Sequence, residues 1–167
     1  GCWICHKHGS VLKYALAKVN ASGRFHWFLP DEVGLADGVT SDPFRTVDSS
    51  ITGLAECSVG LGSLPTGFRL RPSHLLQTYR TRLSHLGLAT AGRIDSDGLA
   101  RSLSPVCLPL SKVEGLGVLS GAETTLTAQF VRMVREHRGV GHPLKHLVLV
   151  VALFEGWSPF LSCYLAS

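Results

Sequence analysis

Residues 72–87, PSHLLQTYRTRLSHLG, decide the fold class. Leu76, Tyr79, Leu83 and Leu86 recur at spacings of three, four and three, one apolar face of an α-helix. Ser73 is a side chain suited to capping its start, and Gly87 supplies the stop. Arg80 and Arg82 fall away from the apolar stripe. The segment therefore predicts an amphipathic helix that needs partners of the same kind.

Downstream, partners follow. Ala91 to Arg93 read as a short polar connector. Asp95 then caps a brief helix carrying Leu99 and Leu103, which Pro105 is expected to end. Two helices joined by a tight polar turn have the outline of a helix-turn-helix. Ser120 and Glu123 fit a capping box, opening a helix with Leu126, Phe130, Met133, Val134 and His137 on one side and Arg132, Arg135 and Arg138 on its flanks. Gly139 and Gly141 break it. His142 and Pro143 suit the first turn of another helix, Leu144 to Phe154, which is apolar nearly all round and is expected in the middle of a domain. Ser158 and Pro159 start a last short helix.

Upstream, the pattern weakens. Residues 58–72 contain Gly60, Gly62, Pro65, Gly67 and Pro72 and read as a connector. A modest helix from Pro43 to Cys57, capped by Asp42, precedes it, with Gly53 weakening it. Residues 34–43 read as a loop, and Phe25 to Leu29 as a short strand. The expected organisation is mainly α: a small zinc-finger-like remnant at 1–34, a short helix and connector at 35–68, and a helical bundle with helix-turn-helix-like pairs at 69–167.

Charge follows this division. Residues 24–60 hold six acids against two Arg, residues 69–101 six Arg against two acids, and residues 130–146 four basic residues against one acid. Sixteen Lys and Arg against twelve Asp and Glu give a net charge of +4 on 167 residues, mildly basic, which permits nucleic-acid binding without demanding it. The longest apolar run, Leu147 to Phe154, falls well short of the roughly 20 residues that span a bilayer. With no secretory signal at Gly1-Cys2-Trp3, the expected compartment is the cytoplasm, and a start inside a Cys/His cluster reads as a cut from something larger.

That cluster is the first candidate for chemistry. Zinc takes thiolate and imidazole ligands, commonly as pairs two residues apart. Cys5 and His8 form one such pair and Cys2 with Cys5 another. Either Cys2, Cys5 and His8, with His26, close a site within the chain, or Cys5 and His8 are half of a site whose other pair lies upstream. Incidental cysteines near a surface histidine are the bland alternative. Cys57, Cys107 and Cys163 stand far apart and read as small buried hydrophobes rather than disulfide partners or nucleophiles. No G-x-S-x-G, no Walker-type phosphate loop and no G-x-G-x-x-G after a strand is present. His142 and His146 have helical metal spacing without the Glu of H-E-x-x-H. These gaps argue against an enzyme and against a small-molecule substrate. The arginines downstream of residue 68 are either solvated helix flanks or a surface for phosphate and guanine edges.

Several blocks together resemble the TniQ/TnsD family of bacterial transposon target-selection proteins. They are Cys5-His6-Lys7-His8-Gly9 with Leu12, the aromatic segment Phe25 to Pro30, Tyr79, Leu83 and Gly87 followed by Arg93-Ile94, and His142 to Val150 followed by Leu153-Phe154. Their order and spacing agree across nearly the whole chain. The family's upstream C-x-x-C has no counterpart here, so the resemblance implies a structural Zn2+ site that is incomplete in this chain. It also implies a nucleoid-associated bacterial protein without catalysis or membrane. Such a protein selects target sites by sequence-directed binding of double-stranded DNA and recruits a transposon AAA+ ATPase regulator. The alternative is a docking module of the same complex without direct DNA contact. The residues expected to matter are Cys2, Cys5 and His8 for metal, and Arg80, Arg82, Arg93, Arg135, Arg138 and Lys145 for DNA.

Overall fold

The computed structural model describes residues 48–111, 116–120, 123–136 and 142–167. Six α-helices, one small hairpin and a single 3-10 turn make up the regular structure of the described residues: α1 (Asp48–Gly62), α2 (Pro72–His85), β1 (Ala89–Thr90), β2 (Arg93–Ile94), α3 (Ser96–Leu110), the 3-10 turn Gly117–Leu119, α4 (Glu123–Arg135), α5 (Pro143–Phe154) and α6 (Trp157–Leu165). The mainly α class expected from the apolar periodicity is what forms. The expected finger remnant at 1–34 and the loop at 34–43 lie outside the described residues, as do Asp42, Pro43 and the Gly121-Ala122 part of the capping box.

α5 is the centre. Its sequence PLKHLVLVVALF leaves almost no polar face, so it is stable only where helices cover it. Val148, Leu149, Val150, Leu153 and Phe154 are buried, and α1, α2, α3 and α6 all pack on it. His142 caps its first turn, its Nδ1 accepting from the Leu144 amide at 3.3 Å, with Pro143 at the first helical position. α6 turns back from α5 at 92° after Glu155 and Gly156. No single helix among the described residues is long and apolar enough to cross a membrane.

The quoted segment forms α2, burying Leu76, Thr78, Tyr79 and Leu83. Two details differ from expectation. The helix starts at Pro72 with Arg71 as N-cap and no side-chain cap, so Ser73 lies inside the first turn. Leu86 is 42% exposed, off the buried stripe. Gly87 ends the helix with φ +70; its amide reaches the Ser84 carbonyl at 3.0 Å and the Leu88 amide the Leu83 carbonyl at 2.8 Å, a Schellman closure.

Three sequence expectations fail here for physical reasons. The connector expected at 91–93 is shorter: Ala91 and Gly92 are the turn of an antiparallel hairpin and Arg93 already belongs to β2, with Ala89 opposite Ile94 and Thr90 opposite Arg93. Ala91 and Gly92 both have positive φ, 50° and 79°, as a two-residue type I′ turn requires. Asp95 does cap α3, accepting from the Asp97 and Gly98 amides, but Pro105 does not end it. α3 continues to Leu110 with Pro105 and Pro109 inside, because Val106, Cys107 and Leu110 are buried on the stripe begun by Leu99 and Leu103. Burial of an aliphatic side chain stabilises by about 1.5–3 kcal/mol, against about 3 kcal/mol lost to an interior proline. Likewise α1 runs through Gly60 to Gly62, past the expected end at Cys57. A Cβ on Gly53 would lie 3.2 Å from Val151, and one on Gly60 would lie 2.1 Å from the Trp157 ring. These glycines permit close helix crossings rather than breaking the helix.

Candidate nucleic-acid interface

Toward the start of α3 and the outer face of α4, the residues between the two helices are short. Ala100 on α3 and Thr124, Thr127 and Ala128 on α4 leave a cleft of about 700 Å³ between the two helices. The spacing 96, 97, 100, 101 is one face of α3, and 124, 127, 128, 131, 132, 135 one face of α4. Arg101 stands on the α3 side, Arg132 and Arg135 on the α4 side. A second cleft, about 500 Å³, lies between the end of α2, the hairpin and the start of α3, and Arg93 and Arg135 line it. The two clefts adjoin at Ser96, Asp97 and Arg135, and together they are called the trough below.

Four arginines thus line this trough, together with the carboxylates Asp95, Asp97 and Glu136. Two ion pairs lie along it. Arg132 Nε donates to Glu136 Oε2 at 3.1 Å, and Arg101 stands 3.9 Å from Asp95, with all four side chains at least half exposed. Exposed pairs of this kind contribute about 0.2–1 kcal/mol, so both arginines can change partner at little cost. Of the arginines expected from sequence, Arg93 and Arg135 come together here. Arg101 and Arg132 are additions. Both lie on helices that the sequence does predict, but a position on one helix does not reveal which face of another helix it meets, and the facing of α3 with α4 is what brings Arg101 and Arg132 here.

Arg80 and Arg82 are placed differently. Arg80 donates from Nε to the Val134 carbonyl at 3.2 Å and from Nη2 to the Arg135 carbonyl at 2.7 Å, capping the C-terminus of α4. Arg82 donates from Nε to the Leu153 carbonyl at 2.6 Å and lies 5.6 Å over the Phe154 ring, capping α5. Carbonyls of a last helical turn lack partners within the helix and carry the negative end of its dipole, which is what a guanidinium satisfies. Lys145 reaches from α5 to the side-chain oxygen of Gln129 on α4.

Cys2, Cys5, His8 and Arg138 lie outside the described residues. Among the described residues no group of three or more His, Cys, Asp or Glu side chains converges on a possible metal position. Burial pushes the thiols of Cys57 and Cys107 up to about 11, so they remain protonated near neutrality and make poor nucleophiles.

In comparison with known families, the model described as "TnsD: Tn7-like transposition protein D" matches residues 54–167. Nothing matches among the curated proteins or among the solved structures.

Proposed function

The chain belongs to the Tn7-like transposition protein D family, and from that premise we propose that it is a non-enzymatic target-selection module. It binds double-stranded DNA in a sequence-directed way and recruits a transposon-encoded AAA+ ATPase regulator. The observation that carries the DNA part is the trough, which collects Arg93, Arg101, Arg132 and Arg135 from three elements onto one surface. Phosphate neutralisation needs such a cluster. Lys145 and Arg138 are further candidates for backbone contact. In this reading Cys2, Cys5 and His8 belong to a structural zinc site that stabilises a segment too small for a core of its own.

The test is binding of a labelled duplex by fluorescence anisotropy at about 50 to 200 mM salt, where each neutralised phosphate adds about 0.9 to the slope of log K against log salt. A steep linear fall supports the reading; absent or salt-insensitive binding opposes it.

A docking module without DNA contact is the second reading. Asp95, Asp97 and Glu136 in the trough favour it, because they oppose the four arginines. Leu108, 56% exposed on α3, adds an apolar contact point. Its mark is a melting temperature raised by the ATPase partner and not by DNA.

A further inference from the structure

We infer that the trough holds the sugar-phosphate backbone through Arg93, Arg101, Arg132 and Arg135 by exchange of carboxylate for phosphate, and that the arginines of α2 take no part. This rests on the DNA-binding reading above. The first ground is the contrast in partners. The α2 guanidinium groups of Arg80 and Arg82 are anchored on main-chain carbonyls at 2.7 and 2.6 Å, each closing the end of another helix. Withdrawing either leaves a helix terminus without its cap. Arg101 and Arg132 have only exposed carboxylate partners, at 3.9 and 3.1 Å. A phosphate offers the same charge and the same acceptor geometry to a guanidinium, and so can take the place of either carboxylate.

The second ground is the trough's shape. Between its charged groups the α3–α4 cleft is lined by Ser96 and Ala100 on α3 and by Thr124, Thr127, Ala128 and Val131 on α4, short side chains that leave about 700 Å³ open to a strand backbone. The three carboxylates then have a definite effect. They repel the phosphate that replaces them, so they lower affinity and make release easy. Neutralising one that pairs with a phosphate-binding arginine strengthens binding.

The experiment compares four forms of the 167-residue chain on one duplex across the salt series: the parent, Arg101→Gln/Arg132→Gln, the charge-matched control Arg69→Gln/Arg71→Gln on residues outside the trough, and Glu136→Gln. The trough double variant should lose about 1.8 from the salt slope, two phosphate contacts at about 0.9 each, and weaken about tenfold or more near 150 mM salt. The control should keep the parent slope. Glu136→Gln should bind about two- to threefold more tightly, the gain expected from removing one exposed like charge. A trough variant with the parent slope, a control that falls as far, or a Glu136→Gln that binds no better overturns the inference while leaving DNA binding itself standing. A parent chain that binds no duplex at any salt overturns both.

Discussion

Tyr79, buried in the core, meets the half-buried His146: the phenol oxygen lies 3.2 Å from His146 Nδ1, and the rings stack 16° from parallel with centroids 6.1 Å apart. The pair joins α2 to α5, the two segments whose sequence is most informative. Burial pushes the Tyr79 hydroxyl strongly up, with the nearby Cys57 adding to the shift. Burial pushes His146 down. Both groups are held neutral, and the bond between them is an uncharged one of about 0.5–1.5 kcal/mol net.

A pH dependence follows. In the unfolded chain His146 titrates near 6.5, whereas its folded value is lower. Below about pH 6.5 the unfolded chain therefore binds more protons at this site, and stability falls as pH falls. The urea midpoint of the parent should drop between about pH 7.5 and 5. His146→Gln, which cannot titrate, should be less stable at pH 7.5 yet show a shallower drop. Equal slopes for the two would mean that His146 is not the group responsible.

Arg82 is expected to matter for stability. Arg82→Ala removes the cap on the Leu153 carbonyl and the cation over the Phe154 ring. A cap and a partly exposed cation–π contact together amount to about 1–3 kcal/mol. Arg82→Lys, which keeps the charge without the planar fork, should recover part of that loss. Denaturant midpoints measure both, and an Arg82→Ala variant as stable as the parent would remove the cap from the account.

The crossing of α1 and α6 at Gly60 leaves no room for a methyl group, since a Cβ there would sit 2.1 Å from Trp157 Cδ1. Gly60→Ala should cost about 1–3 kcal/mol despite alanine's better helix propensity. Trp157→Leu made in the Gly60→Ala background should be less damaging than in the parent, a coupling that a double-mutant cycle reads directly. Additive effects would place the two residues apart.

Ala91 occupies the left-handed region at φ 50°, where a Cβ is disfavoured. Ala91→Asn puts a residue suited to the first central position of a type I′ turn beside Gly92. It should raise stability by about 0.5–1 kcal/mol, seen as a higher melting temperature with the same unfolding cooperativity.

Much of the fold can be read from periodicity. Leu76, Tyr79 and Leu83 on α2, Phe130, Met133 and Val134 on α4, and the nearly all-apolar α5 are buried as their spacing demands. What the sequence hides are the places where tertiary packing overrides a local breaker. Pro105 and Pro109 read as a stop, yet the stripe through Leu110 holds α3 together. Gly53 and Gly60 read as weak points, yet Val151 and Trp157 need the space. The trough was half legible for the same reason. All four arginines stand in the basic stretches 69–101 and 130–146, but only the pairing of α3 with α4 shows that Arg101 and Arg132 face the same space as Arg93 and Arg135. Arg80 and Arg82 look equally suited to DNA in the sequence, because nothing local shows a helix terminus arriving from residues 134 or 153.

Hydrogen exchange with and without a duplex tests the central claim most directly, because it reports where the chain is covered as well as whether it binds. Protection should appear on residues 93–101 and 124–135, the two sides of the trough, and fade as salt is raised. Protection confined to α1 and α6, or none at concentrations where the duplex is saturated, would contradict the account.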